Sequence, residues 1–204
     1  AAAVALATLR TLAGFGDSLM LVVPSDHEIS TVRQFWQSVE AGAAVAREGR
    51  LVVFGIRPMQ PETGYGYIEV AADRNGIFDV SRFVEKPDLA TAQRYVDAGN
   101  FYWNTGIFLF RASAMRDAFR AYQPAIWEAV EAAFEAATSD LSGLYMPIEL
   151  YSAVPSISID YAIMERAERI AMVPASFRWN DLGSWQSLLD IGAADENGNV
   201  IRGD

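Results

Sequence analysis

With 204 residues, 51% of them hydrophobic, the chain is long enough for one core and a small appendage. Its net charge of −10, with sixteen lysines and arginines scattered without a run, argues against a nucleic-acid-binding surface. A small anionic substrate is compatible where a local lysine or arginine and a metal ion outweigh the global field, and the lack of cysteine excludes disulfides, a thiolate nucleophile and a cysteine zinc site while fitting a reducing cytoplasm.

The opening Ala1–Arg10 is apolar, yet it lacks the basic start of a signal peptide and is too short to span a bilayer, so it reads as a buried helix. No other stretch approaches membrane-spanning length. Because the chain opens without methionine, inside a helix already under way, a natural start further upstream is expected. Leu19–Pro24 is a continuous apolar run, the pattern of a strand buried on both faces, and Ser25-Asp26-His27 follows at its carboxyl end. Residues 30–48 carry helical spacing through Val32, Phe35, Trp36, Val39 and Val45, with Gly49 as the stop. Leu51–Ile56 repeats the buried-strand pattern and completes a strand-helix-strand unit.

The loop over 57–66 is rich in Pro and Gly and leads into a hairpin, Tyr65–Val70 and Phe78–Val84, about an Asn75-Gly76 turn. A helix over Leu89–Ala98 ends at Gly99-Asn100, and a strand follows at Ile107–Phe110. Two helices are predicted near 112–121 and 124–137, with Pro124 suited to a first turn, and 138–143 is predicted as a mobile loop. Ile159–Arg166 reads as a helix, Ile170–Pro174 as a buried strand and Leu182–Ile191 as a last helix. The order predicts an α/β fold, a mostly parallel Rossmann-like sheet sandwiched by helices with an added hairpin, whose ligands gather beyond the carboxyl ends of the strands. One unit is expected over 1–192, with 193–204 starting a further, incomplete segment.

The chemistry-bearing residues fall at such strand ends. In Phe83-Val84-Glu85-Lys86-Pro87-Asp88, strand neighbours point to opposite faces and the residue before proline is pushed into extended geometry, so a carboxylate and an ammonium are aimed differently. One suits a sugar hydroxyl and the other a phosphate; the plain alternative is a solvated pair ahead of a Pro-Asp helix start. Asp26 and Asp181 come from distant sequence and suit Mg²⁺, which takes one or two carboxylates plus phosphate oxygens and water. The alternative for Asp181 is a helix cap. His27, a lone histidine behind Asp26, reads as a hydrogen-bonding support rather than a base. Gly64 and Gly66 let backbone approach a ligand closely. Asn104, in Trp103-Asn104-Thr105-Gly106 at the expected start of a strand, both donates and accepts as sugar hydroxyls require, or is a turn asparagine. No nucleophile elbow, P-loop lysine motif, dinucleotide Gly-x-Gly-x-x-Gly or histidine-rich metal spacing is present, which argues against hydrolases, P-loop kinases and dehydrogenases. What is left suits phosphoryl or nucleotidyl transfer without a protein nucleophile.

Taken together, seven blocks in order resemble the sugar-phosphate nucleotidyltransferases, and among them the mannose-1-phosphate guanylyltransferase family. They are Val23-Pro24-Ser25-Asp26-His27, Phe54–Pro58, Pro61–Ile68, Phe83–Asp88, Trp103–Gly106, Ser158–Glu165 and Trp179–Trp185. The resemblance implies an N-terminally truncated glycosyltransferase-A-like nucleotidyltransferase core in which Asp26 and Asp181 bind Mg²⁺, Lys86 contacts the sugar phosphate, Glu85 and Asn104 hold mannose hydroxyls and Gly66 supplies backbone contact. It implies mannose 1-phosphate and GTP as substrates, GDP-mannose and pyrophosphate as products, a cytoplasmic setting, no membrane partner and a homo-oligomer as one option. The family's glycine-rich loop with its arginine and Pro-Lys pair has no match here, so the segment is expected to start after that region and to stop where a C-terminal β-helix would begin. In isolation it is expected to bind nucleotide poorly and turn over little. The alternatives are a non-catalytic sugar-nucleotide-binding regulatory subunit, a transferase for another hexose 1-phosphate or base, and a bifunctional parent with a phosphomannose isomerase domain downstream.

Overall fold

The structure, a computed structural model, describes residues 1–204 except 142, 191–194, 196–198 and 201–204. In chain order the elements are α1 (Ala2–Phe15), β1 (Leu19–Val22), β2 (Glu28–Ile29), α2 (Val32–Arg47), β3 (Leu51–Ile56), β4 (Tyr67–Arg74), β5 (Ile77–Val84) and α3 (Leu89–Ala98). They continue as β6 (Phe101–Arg111), α4 (Ala112–Tyr122), α5 (Pro124–Glu135), β7 (Thr138–Asp140), β8 (Gly143–Tyr145), α6 (Ile148–Ser152), a π-helical turn (Asp160–Met164), β9 (Ile170–Pro174), β10 (Trp179–Asn180) and α7 (Trp185–Asp190).

Six strands form the main sheet in the order β1-β6-β3-β9-β5-β4. The α/β class stands, but the sheet is mixed rather than mostly parallel. Only the β3–β9 neighbours run parallel; β6 lies antiparallel between β1 and β3, and β5 lies antiparallel to β9. The reason is that the strand-helix-strand unit leaves a gap between β1 and β3, and the long reverse strand fills it. β1, β3 and β9 still point the same way, so their carboxyl ends meet along one edge, where the site lies.

Along the central strands, which are buried on both faces, alternate residues pack into opposite layers. Val52 and Phe54 of β3, Ile107 and Leu109 of β6, and Ala171 and Val173 of β9 pack with Phe35 and Val39 of α2. Leu51, Val53, Phe108, Phe110, Ile170 and Met172 face the opposite layer, where α1, α4 and α5 contribute Leu9, Met115, Phe119 and Trp127. Gly42 of α2 sits where a Cβ would come within 3.1 Å of Val52 Cγ1, so helix and sheet approach closely there. Trp36 is half-exposed because Phe35, Val39 and Ala46 take the inward stripe of the helix.

Several elements depart from expectation for identifiable reasons. β6 begins at Phe101, six residues early, because Phe101, Tyr102 and Trp103 pair with Glu69, Ile68 and Tyr67 of β4. The loop predicted at 138–143 belongs to a short hairpin, β7 with β8. The helix predicted over 159–166 is the π turn, widened by the Glu165 N–H donating to the Asp160 carbonyl at 2.9 Å. Among 193–204, only Asp195, Asn199 and Val200 are described, so the expected further segment lies largely outside the described residues.

Candidate active site

A pocket of about 210 Å³ opens at the strand-end edge and is lined by Gly66, Glu85, Lys86, Asn104, Asp160 and Asp181, drawn from five separate stretches of chain. Each is placed by a different local device.

Asn104 lies within β6 rather than at its start, and three hydrogen bonds fix it. Its N–H donates to the Gly66 carbonyl at 2.8 Å, its Nδ2 to Asp160 Oδ1 at 3.2 Å, and its Oδ1 accepts from the Gly106 N–H at 3.2 Å. It is therefore no turn asparagine but an amide anchored at the floor of the pocket. Gly66 permits this, since a Cβ there would collide with the Glu85 carboxylate.

Glu85 follows β5 with its side chain only 12% exposed, and its backbone N–H donates to Glu165 Oε1 at 3.0 Å. Burial, with the nearby Asp160 charge, pushes its carboxyl up to about 7, against the pull of the Lys86 ammonium 3.7 Å away. Burial raises the Asp160 carboxyl as well. Lys86 corrects the expectation of a straight pair: its φ is 48°, in the left-handed region, and its N–H donates to the Tyr65 carbonyl at 3.2 Å. Proline disfavours the right-handed helical region for Lys86, and this hydrogen bond is formed in the left-handed turn. The turn brings the ammonium back to 3.7 Å from the Glu85 carboxylate, so the two charges pair instead of pointing apart, with the ammonium end exposed. The helix start belongs to Asp88, whose Oδ1 accepts from the Thr91 N–H at 2.8 Å, so neither Glu85 nor Lys86 is needed as a cap.

Asp181 follows β10, and its Oδ1 accepts from the Tyr65 hydroxyl at 3.1 Å and the Gly183 N–H at 3.0 Å. Burial and this carboxylate raise the Tyr65 phenol well above its ordinary value. Capping of α7 is done by Ser184, whose hydroxyl accepts from the Ser187 N–H at 3.1 Å, which leaves Asp181 available. Asp26 reaches the same rim by strand pairing. β2 and β10 run antiparallel with Glu28 opposite Asn180, so the chain before Glu28 and the chain after Asn180 leave the ribbon at one end. The Trp179 indole N–H donates to His27 Nδ1 at 3.0 Å, and His27 Nε2 stands 3.9 Å from Asp26 Oδ1. His27 thus accepts at Nδ1, a supporting bridge as expected. The Asp26 side chain is 82% exposed, beside the pocket rather than in it.

Asp160 and Tyr65 are the two residues that sequence reasoning passed over. Asp160 sits among Ile159, Ala162, Ile163 and Met164, which read as an amphipathic helix, so the Ser158–Glu165 block gave it no role of its own. With Glu85, Asp160 and Asp181 against one ammonium, the pocket is acidic, so a phosphate needs an added cation to be held there. Among the described residues no group of three or more His, Asp or Glu side chains is placed to hold a metal ion. Two hard carboxylates, Asp26 and Asp181, fit a cation whose other ligands are water and substrate phosphate. Among the described residues no helix is long and apolar enough to cross a membrane.

Residues 1–198 match the nucleotidyl transferase family. The chain is 48% identical over its whole length to the xanthan biosynthesis protein XanB of Xanthomonas campestris pv. campestris strain B100, covering 44% of that protein. It is 44% identical over its whole length to the mannose-1-phosphate guanylyltransferase of Escherichia coli K12, again covering 44% of that protein. A solved structure described as mannose-1-phosphate geranyltransferase from Thermus thermophilus superposes with a TM-score of 0.81 at 34% identity, covering 93% of this chain and 53% of that one. The chain spans less than half the length of the curated relatives it matches.

Proposed function

The chain belongs to the nucleotidyl transferase family, and from that premise we propose that it carries the sugar-binding and cation-binding part of an enzyme that makes GDP-mannose from mannose 1-phosphate and GTP. The observation that supports this most is the convergence of Gly66, Glu85, Lys86, Asn104, Asp160 and Asp181 on one pocket.

In this reading a phosphate oxygen of mannose 1-phosphate attacks the α-phosphorus of GTP, a new P–O bond forms in line with the one that breaks, and pyrophosphate leaves. Lys86 sets its exposed ammonium against the sugar phosphate. Glu85, Asn104 and Asp160 exchange hydrogen bonds with sugar hydroxyls, the amide oriented by its bonds to Asp160 and Gly106. Nucleotidyl transferases work with a divalent cation; we assign Mg²⁺ to Asp26 and Asp181, where it would neutralise phosphate charge. The chain supplies no nucleophile, and its work is positioning and charge balance. A cytoplasmic setting fits the absence of cysteine.

The test is to join these residues to the phosphate-loop segment of a relative and to assay a panel of sugar 1-phosphates and nucleoside triphosphates. GDP-mannose formation above the other pairs is expected, with little turnover by the 204 residues alone. Stable GDP-mannose binding without any turnover in the joined chain would instead favour a regulatory sugar-nucleotide-binding role.

A further inference from the structure

A second, larger cavity of about 840 Å³ adjoins the pocket described above, sharing Tyr65 and Trp179 with it. These two rings, 5.4 Å apart and edge to face, line both cavities and form their common wall. The volume falls in the range of small-molecule sites, roughly 300–1,000 Å³. The lining comes from the end of β3 and the loop after it, from β2, β6 and β10 with their flanking residues, and from the start of α7; of these residues Tyr65 and Trp179 also line the inner pocket.

Three features of the outer cavity describe what it takes. Its walls carry flat apolar faces in Tyr65, Trp103, Phe177 and Trp179. Trp103 is only 7% exposed, and its indole Nε1 is a buried donor without an acceptor among the described residues. A buried N–H is normally paired, and this one has less than 1 Å² accessible, so an acceptor on a ligand reaches it only as the surrounding rings shift. Arg178 lines the same cavity with no ion-pair partner among the described residues, while Glu28 and Glu62 line it with acceptors. A flat ring bearing an acceptor, hydroxyls or amines for the carboxylates, and an anionic end for the guanidinium together describe a nucleoside 5′-phosphate. A sugar phosphate lacks the flat face, and inorganic phosphate lacks everything but the charge.

We propose that the outer cavity is a second binding site, for a nucleoside monophosphate, coupled to the inner pocket through Tyr65. The coupling follows from Tyr65 standing in the shared wall while its hydroxyl holds Asp181. Whatever fixes the ring fixes that carboxylate, and by linkage each ligand shifts the affinity of the other by the same factor.

The experiment titrates guanosine 5′-monophosphate and adenosine 5′-monophosphate separately into the 204-residue chain, followed by calorimetry and ligand-observed NMR. Saturable binding is expected, weakened tenfold or more by Met59→Asp and Arg178→Ala, both at exposed positions where folding is undisturbed, and weakened by Trp103→Phe. Lys86→Ala should leave it unchanged. Bound nucleotide should shift mannose 1-phosphate affinity threefold or more in the wild type and not in Tyr65→Phe. The proposal is overturned by absence of saturable binding, by binding that Lys86→Ala abolishes and Met59→Asp spares, or by inorganic phosphate competing as well as the nucleotide. Equal sugar-phosphate affinity with and without nucleotide overturns the coupling.

Discussion

The indole of Trp179 donates to His27 Nδ1 at 3.0 Å, joining the residue two before Asp181 to the residue after Asp26. That bond fastens the two-stranded ribbon of β2 and β10 at the end from which both aspartates leave. Trp179→Phe keeps the ring and removes the donor. The expected cost is about 1 kcal/mol of stability, measured by urea unfolding, with divalent-cation affinity lowered more than sugar-phosphate affinity. Equal losses of both would place the bond in general folding rather than in aligning the aspartates.

Gly66→Ala tests the close approach of backbone to pocket. The new Cβ meets the Glu85 carboxylate, the far end of a side chain that can swing, so stability should change by less than about 1 kcal/mol. Swinging Glu85 away spoils its hold on a sugar hydroxyl. Mannose 1-phosphate binding is expected to fall tenfold or more by calorimetry, and unaltered binding would remove Gly66 and Glu85 from the sugar site.

Glu85 also sets a pH dependence whose sign is fixed by the direction of its shift. Its folded value near 7 lies above the ordinary 4.5, so the folded chain holds the proton more tightly than the unfolded one. The resulting stability is full below the unfolded value and is lost as pH rises through the folded one. Asp160, raised by burial, acts in the same direction. Melting temperatures of Glu85→Gln and wild type should diverge in favour of the variant between pH 5 and 8, by roughly 5 °C. Parallel curves would contradict the buried, acid-crowded placement of Glu85.

Lys86 combines a left-handed backbone with the ammonium assigned to phosphate, and two substitutions separate these roles. Lys86→Gly relieves the backbone and should raise stability by about 1 kcal/mol, whereas Lys86→Ala keeps the strain and should not. Both should weaken mannose 1-phosphate binding alike, by tenfold or more. Equal stability of the two variants would mean that the φ of 48° carries no strain.

Where a local device decides the structure, the chain could be read directly. Asn75-Gly76 closes the β4–β5 hairpin with both residues at positive φ, and Gly99 ends α3 in the left-handed region, as their types require. The pairs Val52/Phe54 and Leu51/Val53 sort to opposite layers by strand period alone. What was not legible depends on distant partners. Asn104 and Gly106 look like turn residues, and only pairing with β4 carries β6 through them. Asp160 enters the pocket because an i to i+5 bond widens its turn, which no spacing rule announces. The outer cavity needs β2, β10, α7 and the loop after β3 assembled together, so no single stretch of sequence hinted at it.

The most direct test of the account asks whether Asp26 and Asp181 act as one unit on a divalent cation. In the chain joined to a relative's phosphate-loop segment, Asp26→Asn, Asp181→Asn and the double variant are assayed for GDP-mannose formation across a Mg²⁺ titration. Each single change is expected to cost about 100-fold or more, with the double variant little worse than either, as for groups that share one ion. Activity that survives Asp181→Asn undiminished, or losses that simply multiply, would contradict it.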